Sequence, residues 1–306
     1  MKKLLYQFDT DPLPAVFDNV VAYDGGADHV IPYGGVNPKN VGALVDGAIF
    51  TRAPKDKKLT AIFVGGANMA EGEELVKAVR KKFFSNFRVS VMLDSNGSNT
   101  TAAAAVAWLA HGRSLAGKKA VVLAGTGPVG QRAAVMLARE GAQVTITSRK
   151  PEQGEKARQF ISARFDVHVE AVILNDPSKL SELLPGVDVL LNSGPAGVQM
   201  VPRSAWTGAK SLKVAVDLNA VPPLGIEGIE VNDAGVKREN VVVFGAFGVG
   251  NFKTKLHKAC VARLFTRNDL VLDAEAIADI ARELISARES DNRREPVAKK
   301  ELAKKK

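Results

Sequence analysis

Hydrophobic and polar positions alternate in blocks along the chain, and the blocks predict a repeating order of strand and helix. Short apolar runs at residues 3–8, 59–66 and 120–124 indicate buried strands. Residues 14–23 and 71–84 instead place apolar side chains at helical spacing. Because strands that alternate with helices pair in parallel, the pattern predicts an α/β fold.

Residues 118–150 contain the most informative run: a strand, a glycine turn, a helix and a second strand. The glycines have the spacing G-x-G-x-x-G, which allows a tight turn, close approach of the backbone to a pyrophosphate and close packing of helix on strand. The run predicts a dinucleotide site with its diphosphate at the helix N-terminus. A structural turn without a ligand is the alternative. The predicted contacts are Gly125, Thr126, Gly127, Pro128, Val129 and Gly130.

The second strand of this run ends at Ser148, Arg149 and Lys150, where an NAD-preferring site would carry an acid for the ribose 2′-hydroxyl. A hydroxyl followed by two cations instead suits a 2′-phosphate, since charge-assisted hydrogen bonds to phosphate are strong. The sequence therefore favours NADP, with NAD as the weaker cofactor. The alternative is that the two cations belong to an ordinary solvated helix start.

Polar loops also follow the predicted strands at residues 187–191 and 213–217. Ligands of open parallel sheets bind at the carboxyl ends of the strands. Ser193, Gly194 and Asn219 lie in these loops and are predicted to contact the cofactor.

Charge and composition narrow the class of protein. The net charge is +9, and the segment from Arg288 onward holds eight Lys or Arg against four acids. Residues 288–306 have almost no large apolar side chain and are predicted to form a disordered basic tail. The remaining mild basicity suits an anionic cofactor or substrate. No aromatic-basic interleaving accompanies it, so no nucleic-acid partner is expected.

Cysteine content and hydropathy bear on the compartment. The single Cys260 excludes a disulfide framework within one chain, which suits a reducing environment. No apolar run long enough for a membrane span and no signal-peptide pattern is present, so we expect a cytoplasmic protein without a membrane contact. The sequence motifs of zinc-dependent proteases and P-loop hydrolases are absent, which disfavours hydrolysis by those mechanisms.

Three polar groups remain as candidate chemistry. Residues 95–101 lie between a predicted strand and a helix expected over 102–110, and they suit ligand binding as well as a plain helix cap. Lys253 and His257 share one face of a predicted helix, where a lysine either reaches solvent or points into a pocket. The third group lacks regular ligand spacing, so loop and cap roles explain it better than a metal site, and no metal is expected. It consists of Asp9, Asp11, Asp24, Asp28 and His29.

Seven ordered strings match one known family. They are QFDTD (7–11), YDGGADH (23–29), AIFVGG (61–66), MLDSNGSNTTAA (92–103), GKKAVVLAGTGPVG (117–130), NAVPPLGIEGI (219–229) and KLHKAC (255–260). On these strings the chain resembles, over about residues 1–287, the NAD(P)-dependent methylene-tetrahydromethanopterin dehydrogenases of one-carbon metabolism in methylotrophic and related bacteria.

The resemblance implies a fold of two domains. A Rossmann-type parallel-sheet NADP domain would span residues 106–267. A smaller α/β substrate domain would combine residues 1–105 with 268–287. The pterin, tetrahydromethanopterin, would bind in the cleft between them. The resemblance also implies a homo-oligomer of trimeric type.

The reaction that the resemblance implies is reversible hydride transfer from the methylene carbon of the reduced pterin to C4 of the nicotinamide. Two neighbouring nitrogens stabilise the methenyl cation, so no catalytic base is required. The protein would hold the two carbons in contact and exclude water.

The resemblance also assigns residues to the substrate. A pocket lysine of the family corresponds to Lys253. Because a fixed cation opposes a developing one, Lys253 is expected to bond a pterin oxygen or an acidic partner. His257 is its predicted catalytic companion. The predicted substrate contacts are Asp24, Ser98, Asn99 and Thr100.

Two other functions stay open at this point. The nearer one is a methylene-tetrahydrofolate dehydrogenase, with or without a cyclohydrolase activity for which Lys253 would be the candidate base. The other is an NADP-binding regulatory module whose basic tail meets RNA or an acidic protein.

Overall fold

The computed structural model describes residues 1–176 and 179–303, with side chains as far as Arg288, and they form two sheets. The elements of the first part are β1 (Leu4–Asp9), α1 (Val16–Asp24), β2 (His29–Tyr33), α2 (Val41–Phe50), β3 (Thr60–Gly65), α3 (Met69–Lys81), β4 (Ser90–Leu93) and α4 (Ser98–Ala110). Short 3-10 helices, Pro54–Leu59 and Ser95–Gly97, precede β3 and α4.

The second part of the chain continues the alternation of strand and helix. Its elements are β5 (Lys119–Leu123), α5 (Pro128–Arg139), β6 (Gln143–Ser148), α6 (Pro151–Phe165), β7 (Glu170–Ile173), α7 (Leu180–Leu183), β8 (Val189–Asn192), α8 (Arg203–Thr207), β9 (Val214–Asp217), β10 (Ala234–Arg238), β11 (Val241–Phe244), α9 (Ala246–Leu264), β12 (Val271–Leu272) and α10 (Ala274–Ala303).

The first sheet has five parallel strands in the order β12-β4-β3-β1-β2. Both β3 and β4 are buried at every position, as central strands covered on both faces require. Phe8, Val45, Ile62 and Leu75 share one core of this sheet. Chain order reverses between β1 and β3, and such a reversal leaves a crevice at the carboxyl ends of the two strands.

The second sheet has seven strands in the order β10-β11-β9-β8-β5-β6-β7. All its pairings are parallel except that of the edge strand β10, which runs antiparallel to β11. The six parallel strands have the order of a dinucleotide-binding sheet, and chain order reverses between β5 and β8. The predicted α/β class with a Rossmann-type sheet and a smaller second sheet is therefore confirmed.

Helices join the two sheets. α4 packs against α5, α9 and α10, and its run of alanines, buried at 102–105, lets these neighbours approach closely. After α9 the chain returns to the first sheet, where β12 pairs with β4. The exact domain limits, 1–105 with 268–287 and 106–267, stay a prediction. The disorder predicted for residues 288–306 also stays a prediction: α10 is described as far as Ala303, and residues 304–306 and the side chains after Arg288 lie outside the described residues.

The predicted start of α4 is wrong. The helix begins at Ser98 instead of residue 102, so Ser98, Asn99 and Thr100 occupy its first turn and are buried. Asp94 explains the early start, because its carboxylate accepts hydrogen bonds from the Thr100 amide at 2.9 Å and the Thr100 hydroxyl at 2.6 Å.

Candidate active site

The three glycines of the turn after β5 have different surroundings. A Cβ on Gly125 would lie 2.6 Å from Cβ of Ile146, and one on Gly130 would lie 2.7 Å from Cα of Gly125. A Cβ on Gly127 would have its nearest neighbour, the Ala124 carbonyl oxygen, at 3.8 Å. Packing therefore requires the first and third glycines, whereas the second leaves room for a ligand.

The turn leads directly into α5, with Gly127 as N-cap and Pro128 as the first helical residue. The amides of Val129 and Gly130 belong to the first turn and have no acceptor within the helix. Amides and helix dipole together favour an anion there, so the position fits the diphosphate of a dinucleotide. The Gln131 side chain supports the turn by donating to the Thr126 carbonyl at 2.6 Å.

Ser148 ends β6, and its predicted contact with a phosphate stays a prediction. It is buried, and its hydroxyl donates to the Lys150 carbonyl at 2.8 Å while accepting from the Lys150 amide at 3.2 Å. These bonds fix the turn that presents Arg149 and Lys150, whose side chains are exposed. The arrangement leaves both cations available to an anionic ligand.

Ser193 and Gly194 follow β8 at the same edge of the sheet. The Ser193 hydroxyl donates to the Leu123 carbonyl at 2.8 Å and lies 2.7 Å from where a Cβ of Gly130 would stand. The Gly194 amide donates to Oδ1 of Asn192 at 3.1 Å. Ser193 therefore lies against the glycine turn, whereas Gly194 bonds back to the end of β8.

Asn219 follows β9 and is buried. Its Oδ1 accepts from the amides of Gly197 and Val221, and its Nδ2 donates to the Pro223 carbonyl at 3.1 Å. Asn219 thus ties together the loops after β8 and β9, which lie on the β8 side of the glycine turn.

The carboxyl end of β4 carries Asp94, which the sequence analysis did not select. It is fully buried, and burial raises its pKa to about 6, against the lowering effect of Lys253 and the Thr100 hydrogen bonds. Asn99 and Thr100, which were predicted to bind substrate, form hydrogen bonds to the end of this strand. Asn99 donates to the Leu93 carbonyl at 2.7 Å, and the Thr100 hydroxyl donates to Asp94. Ser98 Oγ is buried and has no partner among the described residues.

His257 projects from α9 into the same region. Its ring stacks on Phe63 with centroids 5.5 Å apart, and Nδ1 lies 3.9 Å from Oδ2 of Asp94. Within the described part of the chain, neither ring nitrogen has a hydrogen-bond partner. Burial first, and the charge of Lys253 second, lower the pKa of His257 to about 3, so the ring is neutral at physiological pH.

Lys253 lies one turn before His257 and reaches toward α1. Its Nζ stands 4.1 Å from the centroid of the Phe17 ring, and a Cβ on Gly97 would lie 3.4 Å from it. Phe17 is 50% exposed. The ammonium and the aromatic face thus meet at the crevice of the first sheet, as a cation–π pair.

Asp18 is the second carboxylate that sequence reasoning missed. Burial, Asp94 and Asp9 raise its pKa to about 7, and Lys253 opposes the shift. No local sequence signal distinguishes Asp18 from an ordinary acid in the first turn of a helix, because its neighbours come from four separate segments.

Asp24, predicted to bind substrate, lies apart from this group. It is at the last residue of α1 and forms an ion pair with Lys258 at 2.7 Å, with half of its side chain exposed. Seven residues of helix, about 10 Å, separate it from Phe17.

A cleft of 560 Å³ runs from the glycine turn toward the first sheet. The α3 residues Asn68, Met69 and Glu73 form one wall, and Lys156 and Phe160 of α6 form another. Elements of both sheets therefore enclose the space beside the predicted cofactor site.

In the described ranges, residues 1–176 and 179–303, no three His, Cys, Asp or Glu side chains are grouped so as to hold a metal ion. No helix of those ranges has both the length and the apolar composition needed to cross a bilayer.

A five-stranded parallel sheet, joined by packed helices to a seven-stranded sheet with a glycine turn at its point of reversal, defines the class of two-domain proteins with a Rossmann-type dinucleotide-binding sheet. A shikimate 5-dehydrogenase from Listeria monocytogenes, solved with shikimate and NAD, shares this fold with a TM-score of 0.54. At 14% identity, over 91% of this chain and 96% of that one, the likeness concerns the fold alone.

Sequence comparison then gives the family. The model of the N-terminal part of methylene-tetrahydromethanopterin dehydrogenase matches residues 16–96. The chain is 52% identical to the bifunctional protein MdtA of Methylorubrum extorquens, over 92% of this chain and 99% of that protein. It is 38% identical to an NAD(P)-dependent methylenetetrahydromethanopterin dehydrogenase of the same organism, over 78% and 83% of the two chains. The chain belongs to the methylene-tetrahydromethanopterin dehydrogenase family.

Proposed function

We propose that this protein catalyses the reversible oxidation of methylene-tetrahydromethanopterin to methenyl-tetrahydromethanopterin, with NADP as cofactor, in one-carbon metabolism. The observation that carries the proposal is the course of α9. It starts after β11 of the Rossmann-type sheet, packs against β4 and α1, and so brings Lys253 and His257 to the crevice of the first sheet. One helix thus connects the sheet that carries the glycine turn with a second crevice that has aromatic and charged side chains. The family membership agrees with it.

The residues at the glycine turn fit NADP. Gly127 leaves room for the diphosphate, the first turn of α5 supplies amides, and Arg149 and Lys150 are free to meet a 2′-phosphate. Bound NADP supplies a nicotinamide ring that accepts the hydride. Ser193 and Asn219 shape the loops around that end of the site.

The first-sheet crevice suits the other reactant, because it offers an aromatic face, an ammonium and two carboxylates around apolar walls. The oxidation needs no base. His257 is buried beside the crevice, where its neutral ring stacks on Phe63 and helps to keep water out of this region. Lys253 would repel a methenyl cation placed beside it. Its role is therefore to bind a pterin oxygen that lies at a distance from the reacting carbon.

A spectrophotometric assay tests the proposal. The protein is mixed with methylene-tetrahydromethanopterin or methylene-tetrahydrofolate, each with NADP or NAD, and formation of the reduced nicotinamide is followed by absorbance. Fastest turnover with the methanopterin and NADP is expected. Faster turnover with the folate would make it a folate dehydrogenase, and cofactor binding without turnover of either pterin would indicate a regulatory module.

Assembly and location belong to the same proposal. We propose a homo-oligomer of trimeric type in the cytoplasm, as the resemblance implies. Light scattering of the purified protein measures the first, and cell fractionation tests the second.

A further inference from the structure

Three phenylalanine side chains form a surface cluster at the amino ends of β3 and β4. Phe50 ends α2, and Phe84 and Phe87 belong to the turn between α3 and β4. The ring centroids of Phe84 and Phe87 are 5.1 Å apart, and the Phe50 ring lies 5.5 Å from Phe87 and 6.0 Å from Phe84. Phe87 packs on the core of the first sheet, whereas Phe50 and Phe84 are 55% and 51% exposed. We call these three residues the aromatic patch.

The backbone holds the aromatic patch in place at a conformational cost. Phe84 and Phe87 exchange backbone hydrogen bonds of 3.3 and 2.8 Å, which close a tight turn. Ser85 within this turn has a φ of 46°, in the left-handed region that residues other than glycine rarely adopt. Buried Lys57 adds support, because its ammonium donates to the Ile49 carbonyl and stands 4.4 Å from the centroid of the Phe87 ring. A strained turn that presents half-exposed aromatic rings indicates a function for them.

Cations surround the aromatic patch. The segments 50–58 and 80–88, which carry the three phenylalanines, hold eight Lys or Arg against one acid. These cations are Arg52, Lys55, Lys57, Lys58, Arg80, Lys81, Lys82 and Arg88. Outside these two segments and the tail from Arg288 onward, the chain is net negative. The positive charge of the protein apart from the tail is therefore concentrated at this edge of the first sheet.

The length of a strand separates the aromatic patch from the candidate active site. The crevice of the first sheet and Asp94 lie at the carboxyl ends of β3 and β4, and the aromatic patch lies at their amino ends. The six residues of β3 span about 20 Å in an extended conformation. The aromatic patch therefore has no direct contact with the cofactor turn or with the crevice.

The arrangement of rings and cations indicates which kind of partner fits. Exposed apolar side chains inside a polar rim are typical of protein–protein interfaces. A rim of one charge sign requires the opposite sign on the partner, and a contact of this patch with itself would place like charges together. Nucleic-acid bases stack on free ring faces, but Phe84 and Phe87 stack on each other and Lys57 lies over Phe87. These observations favour an acidic protein.

We propose that the aromatic patch and its cations form a docking surface for an acidic segment of a partner protein, in which large apolar side chains alternate with Asp and Glu. The apolar side chains of that segment contact Phe50 and Phe84. Its carboxylates pair with the exposed Lys55, Lys58 and Lys81. The inference goes beyond the proposed function and does not depend on it, because no residue of this surface belongs to the cofactor turn or the crevice.

Fluorescence anisotropy with the full chain tests the docking surface. The probe is a labelled peptide of repeated Glu-Glu-Leu units, and the reference peptide has Ser in place of each Leu. Two variants alter the surface. Phe50→Ser/Phe84→Ser removes the exposed rings, and Lys55→Glu/Lys81→Glu reverses two charges of the rim. Labelled oligouridylate and phosphatidylglycerol vesicles are tested in parallel as other anionic partners.

The chain provides matched controls away from this surface. Phe247→Ser removes a ring that is 52% exposed, and Lys210→Glu/Lys213→Glu reverses two exposed cations. We expect the wild type to bind the Glu-Glu-Leu peptide more tightly than the serine peptide, with an affinity that falls as ionic strength rises. Both variants of the docking surface should bind about tenfold more weakly, and the controls should stay within about twofold of the wild type. Turnover with NADP should be unchanged in the docking-surface variants.

Four results would overturn the inference. They are no binding of the Glu-Glu-Leu peptide, equal binding of the two peptides, equal losses in the docking-surface and control variants, and tighter binding of oligouridylate or vesicles through the same side chains. A smaller oligomer of Phe50→Ser/Phe84→Ser in light scattering would also overturn it, because a second copy would then cover the aromatic patch. If the phenylalanine variant does not fold, the charge-reversal variant decides.

Discussion

Arg132 and Glu73 connect a helix of the Rossmann-type sheet to a helix of the first sheet through an ion pair, with Nη2 and Oε1 2.6 Å apart and the side chains only 4% and 19% exposed. Arg132 belongs to α5 and Glu73 to α3, so the pair crosses the cleft beside the glycine turn. Burial lowers the pKa of Arg132, and the charge of Glu73 partly restores it.

Removing one partner of this pair should destabilise the protein. Glu73→Gln leaves the buried Arg132 cation uncompensated, and we expect a loss of about 2–3 kcal/mol in the free energy of unfolding, measured in urea. Glu74→Gln is the control on the same helix, because its ion pair with Lys77 is more than 60% exposed on both sides, and it should cost less than about 1 kcal/mol. Equal effects of the two variants would contradict a structural role for the crossing pair.

The two glycines around Pro128 should respond to alanine in opposite ways. Gly127→Ala meets nothing closer than 3.8 Å and should leave the melting temperature unchanged, while its methyl group raises the Michaelis constants of NADP and NAD alike. Gly130→Ala collides with the Gly125 backbone and should cost about 1–3 kcal/mol of stability by overpacking. Calorimetry and steady-state kinetics on both variants separate these effects. A destabilised Gly127→Ala would show that the turn has no spare room.

Cofactor choice should depend on Arg149 and Lys150. Replacing both with alanine removes the exposed cations at the β6 turn, and we expect the Michaelis constant for NADP to rise about tenfold or more, with that for NAD changing little. Lys210 and Lys213 form the control pair. They precede β9 and so lie at the amino ends of the strands of the same sheet, away from the predicted cofactor site. Equal increases in the Michaelis constants of the two cofactors would show that Arg149 and Lys150 do not bind the 2′-phosphate.

Lys253 should matter for the pterin and not for the cofactor. Lys253→Ala removes the ammonium that lies over Phe17 and that we propose donates to a pterin oxygen. We therefore expect pterin affinity to fall about tenfold. Lys255, two residues further along α9 and exposed, is the control. Pterin affinity and turnover both within a factor of two of the wild type would refute the role.

Asp18 should also make stability depend on pH. Its pKa is raised from 3.8 to about 7 in the folded protein, so between these values the folded state holds a proton that the unfolded chain has released. Stability attributable to this group therefore falls as pH rises through that window. Asp18→Asn should be more stable than the wild type near pH 8 by about 1 kcal/mol after allowance for solvent screening, and the difference should vanish near pH 4. Urea unfolding at the two pH values measures it, and a gain that is independent of pH would exclude this cause.

Local patterns were sufficient for several features of this protein. Continuous apolar runs indicated the buried strands, and the glycine spacing located the dinucleotide turn, because strand pairing and tight turns depend on residues close together in the chain. The family resemblance and Lys253 also came from short strings. The structure changed the details there: Ser148 shapes its turn through bonds to Lys150, and Ser98, Asn99 and Thr100 belong to a buried helix turn.

Only the tertiary structure brought Asp18, Asp94, His257 and Lys253 together. They come from α1, the end of β4 and α9, and the raised pKa values of the two aspartates and the lowered pKa of His257 arise from burial and from charges distant in sequence. The same holds for Arg132 and Glu73, 59 residues apart. The amino-acid sequence by itself determined the sheets, the dinucleotide turn and the family. Desolvation and charge coupling across the cleft exist only after folding, and they decided which polar residues form the site.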